Sequence, residues 1–353
     1  MGFIARWAVV SLVVLAALDP FHPARAEDAS DYFKKSLNYG VGLRTSAGTT
    51  TMSGASDTVG LFALDVRPYI SGRVTPFLKF AGNLDLNNGD QGRIHVLDAV
   101  AQLEPDDLFN VWLGRFLPPS DRANLSGPYY QNAWNYPTTV NGYPSIYAGR
   151  ADGAAVWGQL GKGKVKYQAG VFTLDTRAPI GQALYAARLV LNALDPEPGY
   201  YNSSTYYGAK DILAIGGTVQ YKKTVVAGLP DSTLGAFSLD GLFEKRLGPD
   251  TVSLEGAYYN FNEGNDVGNQ GWSFFALASY LFGTKVGPGK VQPMARYQYA
   301  APRGGGDGTK TIDAGLNYIM DGHNARAALV VQNVNPPGLP GLTTVQLGIQ
   351  IQE

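Results

Sequence analysis

The chain contains no cysteine, few charged residues and no long apolar run beyond its N-terminus. Without cysteine, neither a disulfide framework nor a cysteine-ligated zinc site can form. A helical membrane protein needs several stretches of about 20 apolar residues, and none follows residue 26. The 28 basic and 29 acidic residues nearly balance, so the chain lacks the basic field on which nucleic-acid binding depends.

The composition combines a low charge content with an unremarkable hydropathy. Charged residues make up 16% of the chain, against about 25% in an ordinary soluble domain, yet the mean hydropathy is only -0.10. Glycine is abundant at 44 residues, and 21 tyrosines outnumber 15 phenylalanines. A length of 353 residues suits two soluble domains or one large barrel.

Residues 1–26 have the pattern of a cleaved secretory signal peptide. Arg6 supplies a positive start, residues 8–18 form a short apolar run, and Ala24-Arg25-Ala26 is a small-residue cleavage site. An uncleaved membrane anchor is the alternative, but the apolar run is too short to span a bilayer comfortably. The sequence therefore predicts one mature domain, residues 27–353, that leaves the cytoplasm.

Strict alternation of apolar and polar residues dominates the mature chain. Residues 165–171, for example, read Val-Lys-Tyr-Gln-Ala-Gly-Val, the period of a β-strand with two different faces. Tight turn signals separate many such segments, which predicts an antiparallel meander. We predict about sixteen strands, with one short helical turn near Pro119–Arg122. The less regular strands are placed at 58–71, 73–85, 94–104, 109–116, 154–160 and 272–282, with a turn at Ser71-Gly72.

A transmembrane β-barrel explains this pattern better than a soluble β-sandwich. The polar faces carry mostly Gly, Ser, Thr, Asn and Gln, as in a water-filled lumen, whereas a sandwich surface carries many charges. Aromatic pairs such as Tyr200-Tyr201 and Tyr206-Tyr207 are interpreted as interfacial girdles. The predicted fold is an all-β, antiparallel, up-and-down transmembrane barrel in the outer membrane of a Gram-negative bacterium.

Two long connections interrupt the strand pattern. Residues 117–150 are rich in proline and aromatic residues, and loops of that length are usually functional or disordered. One hypothesis folds this loop into the lumen as a constriction, and the alternative packs it on the rim as an ordinary external loop. Residues 193–211 are interpreted as an extracellular loop.

Charged residues at lumen-facing or loop positions are the candidate pore-lining residues, since charged rings tune selectivity in channels. Both signs occur among them, and therefore a strongly anion-selective pore is not predicted. The candidates are Asp98, Arg115, Asp121, Arg122, Lys166, Arg188, Asp240, Glu255, Arg296 and Arg326.

The segment Val111-Trp-Leu-Gly-Arg-Phe-Leu-Pro-Pro-Ser-Asp-Arg122 resembles a passage of the phosphate-selective porin O and P family. Residues 152–159, the Gly-Lys-Gly-Lys turn and residues 165–172 resemble the hairpin that follows it. The resemblance covers about residues 60–195 and implies a sixteen-stranded outer-membrane channel for small solutes or anions, commonly a homotrimer. The family's phosphate-binding residues have no counterpart position by position. The chain also ends in Glu353, where such barrels usually end in an aromatic residue.

Catalytic motifs are scarce. Of three histidines, only His95 and His323 follow the signal peptide, and neither H-E-x-x-H nor G-x-S-x-G occurs. We therefore predict no enzymatic activity, no metal and no cofactor.

The predicted function is an outer-membrane porin, a passive diffusion channel for small hydrophilic solutes or ions. The expected partners are the outer-membrane bilayer and the solutes, and nucleic acid is not among them. One alternative is a barrel that encloses a periplasmic or extracellular partner such as an electron carrier. A second alternative is an outer-membrane hydrolase, which would depend on His95 or His323.

Overall fold

The computed structural model describes residues 33, 35–87, 93–138, 149–173, 182–224, 231–262, 271–302 and 305–353. Within these ranges, seventeen strands form one antiparallel sheet. The predicted signal peptide lies outside the described residues, as do residues 139–148 of the long loop. The strands are β1 (Asn38–Met52), β2 (Thr58–Arg73), β3 (Leu78–Asn87), β4 (Ile94–Leu103), β5 (Asn110–Phe116), β6 (Ala151–Leu160), β7 (Val165–Thr173), β8 (Leu184–Asn192), β9 (Ile212–Thr224), β10 (Ser232–Leu247), β11 (Asp250–Asn262), β12 (Gly271–Leu281), β13 (Lys285–Val286), β14 (Gly289–Pro302), β15 (Thr309–Asp321), β16 (Ala325–Asn335) and β17 (Leu342–Gln352).

The sheet closes into a barrel because β1 pairs with both β2 and β17. Each long strand otherwise pairs with its neighbours in sequence, and β12 pairs directly with β14. The two-residue β13 belongs to the hairpin before β14, so sixteen long strands form the described wall and confirm the predicted closed barrel. The predicted turn at Ser71-Gly72 is wrong: β2 continues to Arg73, and backbone bonds from Val74 and Thr75 to Leu78 close the turn.

The two faces of the wall differ as the alternation predicts. On β17, Leu347, Ile349 and Ile351 are 44–58% exposed on the outside, whereas the intervening Gln346 and Gln350 are at most 5% exposed inside. Closure leaves no unpaired strand edge, which a membrane requires. Within the described residues no helix is long and apolar enough to cross a membrane.

Aromatic side chains gather on the outer surface near both ends of the barrel. Trp272, Phe274 and Tyr299 pack together near one end, and Tyr280 packs on Phe282 near the other. Rings at these two levels match the interfacial girdles of outer-membrane barrels. The outer surface is therefore built to face lipid between two polar boundaries.

The order of the strands defines the two ends of the barrel. We call the end at which β1 starts and β17 stops the terminal end, and the other the opposite end. The connections at 161–164, 248–249 and 322–324 lie at the terminal end and are tight turns. The loop at 117–150 leaves the opposite end. The connection 193–211 also leaves the terminal end. Because the short turns of outer-membrane barrels lie on the periplasmic side, this position contradicts the prediction of an extracellular loop.

Candidate functional site: the lumen

Residues 117–138, here called the lumenal loop, enter the barrel from the opposite end. A short helix α1 (Arg122–Ser126) begins where the Asp121 side chain accepts a hydrogen bond from the Asn124 amide at 3.3 Å, a standard N-cap. The helix ends at Gly127, whose φ of 65° is accessible to glycine at little cost. The predicted helical turn near Pro119–Arg122 therefore exists but starts three residues later.

The lumenal loop crosses the lumen against the inner wall of the last strands. Its backbone carbonyls accept hydrogen bonds from inward-facing side chains at 2.7–3.1 Å. The donors are Arg44 of β1, Arg296 of β14, Asn317 of β15, Arg326 of β16 and Gln350 of β17. Buried carbonyls need such partners, and the polar wall supplies them. The loop is thus folded into the lumen, as one of the two hypotheses expected.

Two glycines of the wall leave space for aromatic rings of the lumenal loop, because they have no Cβ. A Cβ at Gly42 would lie 2.7 Å from the Tyr129 ring, and a Cβ at Gly348 would lie 2.3 Å from Trp134. The Trp134 ring in turn lies under Arg44, whose Cζ is 4.2 Å from the ring centroid, a cation–π contact. Some glycines on the polar face therefore contact aromatic rings and not water.

Residues 193–211, here called the terminal-end loop, enter the lumen from the terminal end and contact the lumenal loop. Glu197 receives two hydrogen bonds from Arg122, at 2.6 and 2.7 Å, and both side chains are 1% exposed. Tyr206 also donates to Glu197, at 2.6 Å. Such a bidentate, charge-assisted pair is strong and geometrically specific. The two loops are therefore locked together in the middle of the barrel.

Wall carboxylates hold the remainder of the terminal-end loop. Glu244 of β10 accepts from the Thr205 hydroxyl at 2.7 Å and from the Tyr206 amide, and Glu255 of β11 accepts from the Ser204 hydroxyl. These carboxylates face the lumen but are at most 5% exposed, because the loop covers them. The charge on this part of the wall secures a loop instead of facing a water-filled channel.

The inner face of β5 and β6 is aromatic where it meets the terminal-end loop. Tyr200 stacks on Trp112 with ring centroids 4.5 Å apart and packs edge-on against Trp157. Its hydroxyl donates to the Leu117 carbonyl at 2.9 Å. The interpretation of Tyr200-Tyr201 and Tyr206-Tyr207 as girdle residues is wrong, because these tyrosines pack inside the barrel.

A cavity of about 660 Å³ remains between the two loops and the wall formed by β1–β4. It extends to the terminal end, where Asn38 and Glu353 line it. Two ion pairs stand on its wall: Arg67 donates to Asp85 at 2.7 Å, and Arg150 donates to Asp98 at 3.3 Å. This cavity is the candidate functional site.

Nine of the ten candidate residues fall into three groups. Asp98 lines the cavity. Lys166, Arg188, Asp240, Glu255, Arg296 and Arg326 face inward but are at most 5% exposed, and Asp121 and Arg122 lie buried in the lumenal loop. Most of them bind loops or each other, as in the buried pair of Arg188 and Asp240 at 2.5 Å.

The expectation that Arg115 lines the pore is contradicted by the direction of its side chain. Trp112 and Phe116, on the same strand, face inward, so Arg115 must face outward by the strand period. It pairs there with Asp152, its direct cross-strand neighbour, at 2.9 Å. Trp112 and Phe116 point inward because they pack on Tyr200. Since Leu113 is exposed on the outside, both faces of β5 carry large apolar residues.

Sequence reasoning did not identify Arg67, Arg150, Glu197 and Tyr129. Arg67 follows the irregular part of β2, where the alternation is weak, and the other three lie in or beside long connections. Since loop positions have no periodicity, no local signal assigns them a direction. The only available hint was the density of tyrosine and proline in both loops.

Two loop carboxyls have strongly shifted pKa values. Burial alone would raise the pKa of Glu197, but the bound Arg122 guanidinium lowers that pKa to about 2. Burial raises the pKa of Asp121 to about 6, and the nearby Asp240 adds to the rise. Glu197 is therefore ionised throughout the physiological pH range. Asp121 changes its charge near pH 6, at the acidic end of that range.

The two remaining histidines occupy different environments. His323 lies between Tyr130 and Tyr207, with ring centroids 4.8 Å away in both cases, and its Nε2 lies 2.9 Å from the Thr205 carbonyl. Burial lowers the pKa of His323 to about 4. His95 stands opposite Asp85 on the neighbouring strand. Among the described residues, no group of three or more His, Cys, Asp or Glu side chains could hold a metal ion.

Comparisons with known proteins show what this architecture is similar to. No family model matches the chain, and no curated protein matches it. Among solved structures, Salmonella typhi OmpF in complex with daunomycin has a TM-score of 0.61 at 14% identity, covering 92% of this chain and 99% of that one. A loop-deletion mutant of OmpT, an outer-membrane protein of Vibrio cholerae, has a TM-score of 0.59 at 12% identity, covering 90% and 99%. A mutant of Rh. blastica porin has a TM-score of 0.54 at 12% identity, covering 90% and 100%.

These likenesses concern the fold. They agree with the closed antiparallel barrel. The chain therefore folds as a closed antiparallel β-barrel of the kind found in outer-membrane porins.

Proposed function

We propose that the protein is a diffusion channel for small hydrophilic solutes or ions and that the solute path runs along the β1–β4 wall. The observation that carries this proposal is the cavity of about 660 Å³ between that wall and the two loops. The lumenal loop and the terminal-end loop occupy the other side of the barrel. The path is therefore narrow and off-centre.

The charges along the cavity predict weak selection between cations and anions. The lining includes Arg67, Arg150 and Lys210, and against them Asp98, Glu197 and Glu353. Rings of one sign make a pore selective, but here three cations stand against three carboxylates and most of them are paired. This supports a channel with no strong preference for anions, although the resembled family is named for phosphate.

The partner-enclosing alternative requires an empty lumen, and the two inserted loops argue against it. The hydrolase alternative has no support from the surroundings of His323, which is wedged between two tyrosine rings. A cleaved signal peptide, membership of the O and P family and a homotrimer remain proposals of the sequence. One Vibrio cholerae OmpT structure is described as a trimer form, which supports testing the trimer.

The test is the conductance of the purified protein in planar bilayers, compared with a variant in which residues 196–208 are replaced by a short glycine-serine turn. Discrete openings are expected for the wild type, and larger openings for the variant because the terminal-end loop no longer fills the lumen. Circular dichroism verifies that the variant retains the barrel. A folded wild-type protein without discrete openings would contradict the channel function.

A further inference from the structure

We propose that the cavity beside β1–β4 is a binding site for a neutral polyhydroxylated solute, a sugar of one or two rings. This inference rests on the proposed function, since it names the solute class for the same path. It is carried by three features of the cavity: cations that already have partners, a surface rich in tyrosine, and buried polar atoms without partners.

The cations of the cavity are already engaged by protein groups. Arg67 binds Asp85 at 2.7 Å and Arg150 binds Asp98 at 3.3 Å. Lys210 donates to the Pro196 carbonyl at 2.9 Å. An anionic solute would have to compete with these partners and would also meet the nearby carboxylates. The electrostatics therefore favour a solute without net charge.

Tyrosine is the most frequent residue type among those that line the cavity. The tyrosines that line the cavity are Tyr69, Tyr129, Tyr130, Tyr201 and Tyr206. A tyrosine combines an apolar face with a polar tip, and a sugar ring likewise combines C–H faces with peripheral hydroxyls. A simple inorganic ion has no apolar surface with which to use these rings, whereas a sugar can pack on them.

Two polar atoms of the cavity lack hydrogen-bond partners within the described part of the chain. These are the Tyr129 hydroxyl oxygen and Asn83 Oδ1, both buried at the level of the atom. Tyr129 is 6% exposed, and the guanidinium carbons of Arg44 and Arg67 each lie 5.9 Å from its ring centroid. Buried polar groups are nearly always satisfied in folded proteins, so these two atoms keep hydrogen-bonding capacity that no described residue uses.

A sugar hydroxyl meets both requirements because it donates one hydrogen bond and accepts others. It can donate to Asn83 Oδ1, and it can either donate to or accept from Tyr129. Water could satisfy the same atoms but could not cover the tyrosine rings. The cavity volume of about 660 Å³ lies within the range of about 300–1,000 Å³ typical of small-molecule sites.

The experiment compares maltose with inorganic phosphate on the purified full-length protein. Isothermal titration calorimetry in detergent measures binding, and planar bilayers measure the reduction of open-channel current. We expect maltose to bind saturably and to reduce the current, and phosphate to do neither at the same concentration. The Tyr129→Phe variant should weaken maltose binding about three- to tenfold, the usual effect of one lost hydrogen bond. Since it removes an unpartnered hydroxyl, it should not disturb folding.

The matched control is Tyr258→Phe, the same change on β11 where Tyr258 faces outward opposite Leu239. It should leave maltose affinity unchanged. Channels that open but whose current maltose does not reduce, in a protein that does not bind maltose, would overturn the sugar site without contradicting the channel function. Tighter binding of phosphate than of maltose, or an unchanged affinity in Tyr129→Phe, would also overturn it. Absence of openings would contradict the channel function. The calorimetric affinity for maltose would still test the sugar site in that case.

Discussion

Breaking the ion pair between Arg122 and Glu197 should release the terminal-end loop and widen the channel. The pair has two hydrogen bonds of 2.6 and 2.7 Å, with both side chains 1% exposed. The change Glu197→Gln keeps the size of the side chain but leaves the Arg122 charge buried without a counter-charge. It also weakens the contact with Tyr206, which donates to the same carboxylate.

The expected cost follows from the burial of the pair. Removing one partner of a buried ion pair typically costs about 3–5 kcal/mol, because the other charge is left uncompensated. Since about 1.4 kcal/mol corresponds to a factor of ten, the equilibrium between the inserted and released loop should shift by roughly 10²–10⁴. Arg122 depresses the pKa of Glu197 to about 2, so the pair's stabilisation is present above the unfolded pKa and is lost only near pH 2. At neutral pH the whole effect should be seen.

The assay is single-channel conductance at neutral pH. The Glu197→Gln channels should visit a larger conductance state that approaches the state of the loop-replacement variant described above. The control is the double change Arg122→Met with Glu197→Leu, since apolar pairs of similar volume often replace a buried ion pair without loss of stability. The double variant should conduct like the wild type. If the loop replacement enlarges the conductance and Glu197→Gln does not, the ion pair does not hold the loop.

Three further predictions concern the wall and the loops. Arg67→Ala should shift the reversal potential in a salt gradient toward cation preference, because it removes a positive charge from the cavity. The control Arg115→Ala, on the outer face, should leave the reversal potential unchanged. Equal shifts in the two variants would contradict the assigned faces. Asp121→Asn should remove a pH dependence of thermal stability. In the wild type this carboxyl has a folded pKa of about 6, so the free energy of unfolding should fall by on the order of 3 kcal/mol as the pH rises from about 4 to 6. A variant whose melting temperature still falls with pH like the wild type's would refute this. Gly348→Ala should lower the melting temperature, at a cost of about 1–3 kcal/mol of overpacking, because its Cβ would lie 2.3 Å from the lumenal loop, while Gly217→Ala, with its nearest contact at 3.5 Å, should be nearly neutral.

The barrel wall was predictable because strand periodicity is a local property. Every second residue faces lipid, so segments such as residues 345–352 report their own orientation. The prediction of orientation from alternation fails where the inner face of a strand is not polar. On β5 the large apolar side chains of Trp112 and Phe116 face inward onto the loop, and the outward position of Arg115 could be assigned only from that packing.

The loops were predictable in position but not in destination. Residues 117–150 and 193–211 stand out because alternation stops there, yet nothing local states whether such a segment lies on the rim or inside the barrel. Their direction depends on contacts between residues far apart in sequence, such as Arg122 with Glu197 and Arg326 with Gln131. The end from which each loop leaves depends on the number of strands before it, which requires every strand to be placed correctly.

The sequence by itself determined the class of protein: alternation, the scarcity of charge and the lack of cysteine require a barrel wall that separates lipid from a polar interior. Only the tertiary structure decided what fills that interior. Glycines and amides that were expected to meet water instead contact aromatic rings and loop carbonyls, as Gly42 and Gln350 do with Tyr129. The physical reason is that alternation specifies which side of the wall a residue faces, whereas its partner there is brought by another part of the chain.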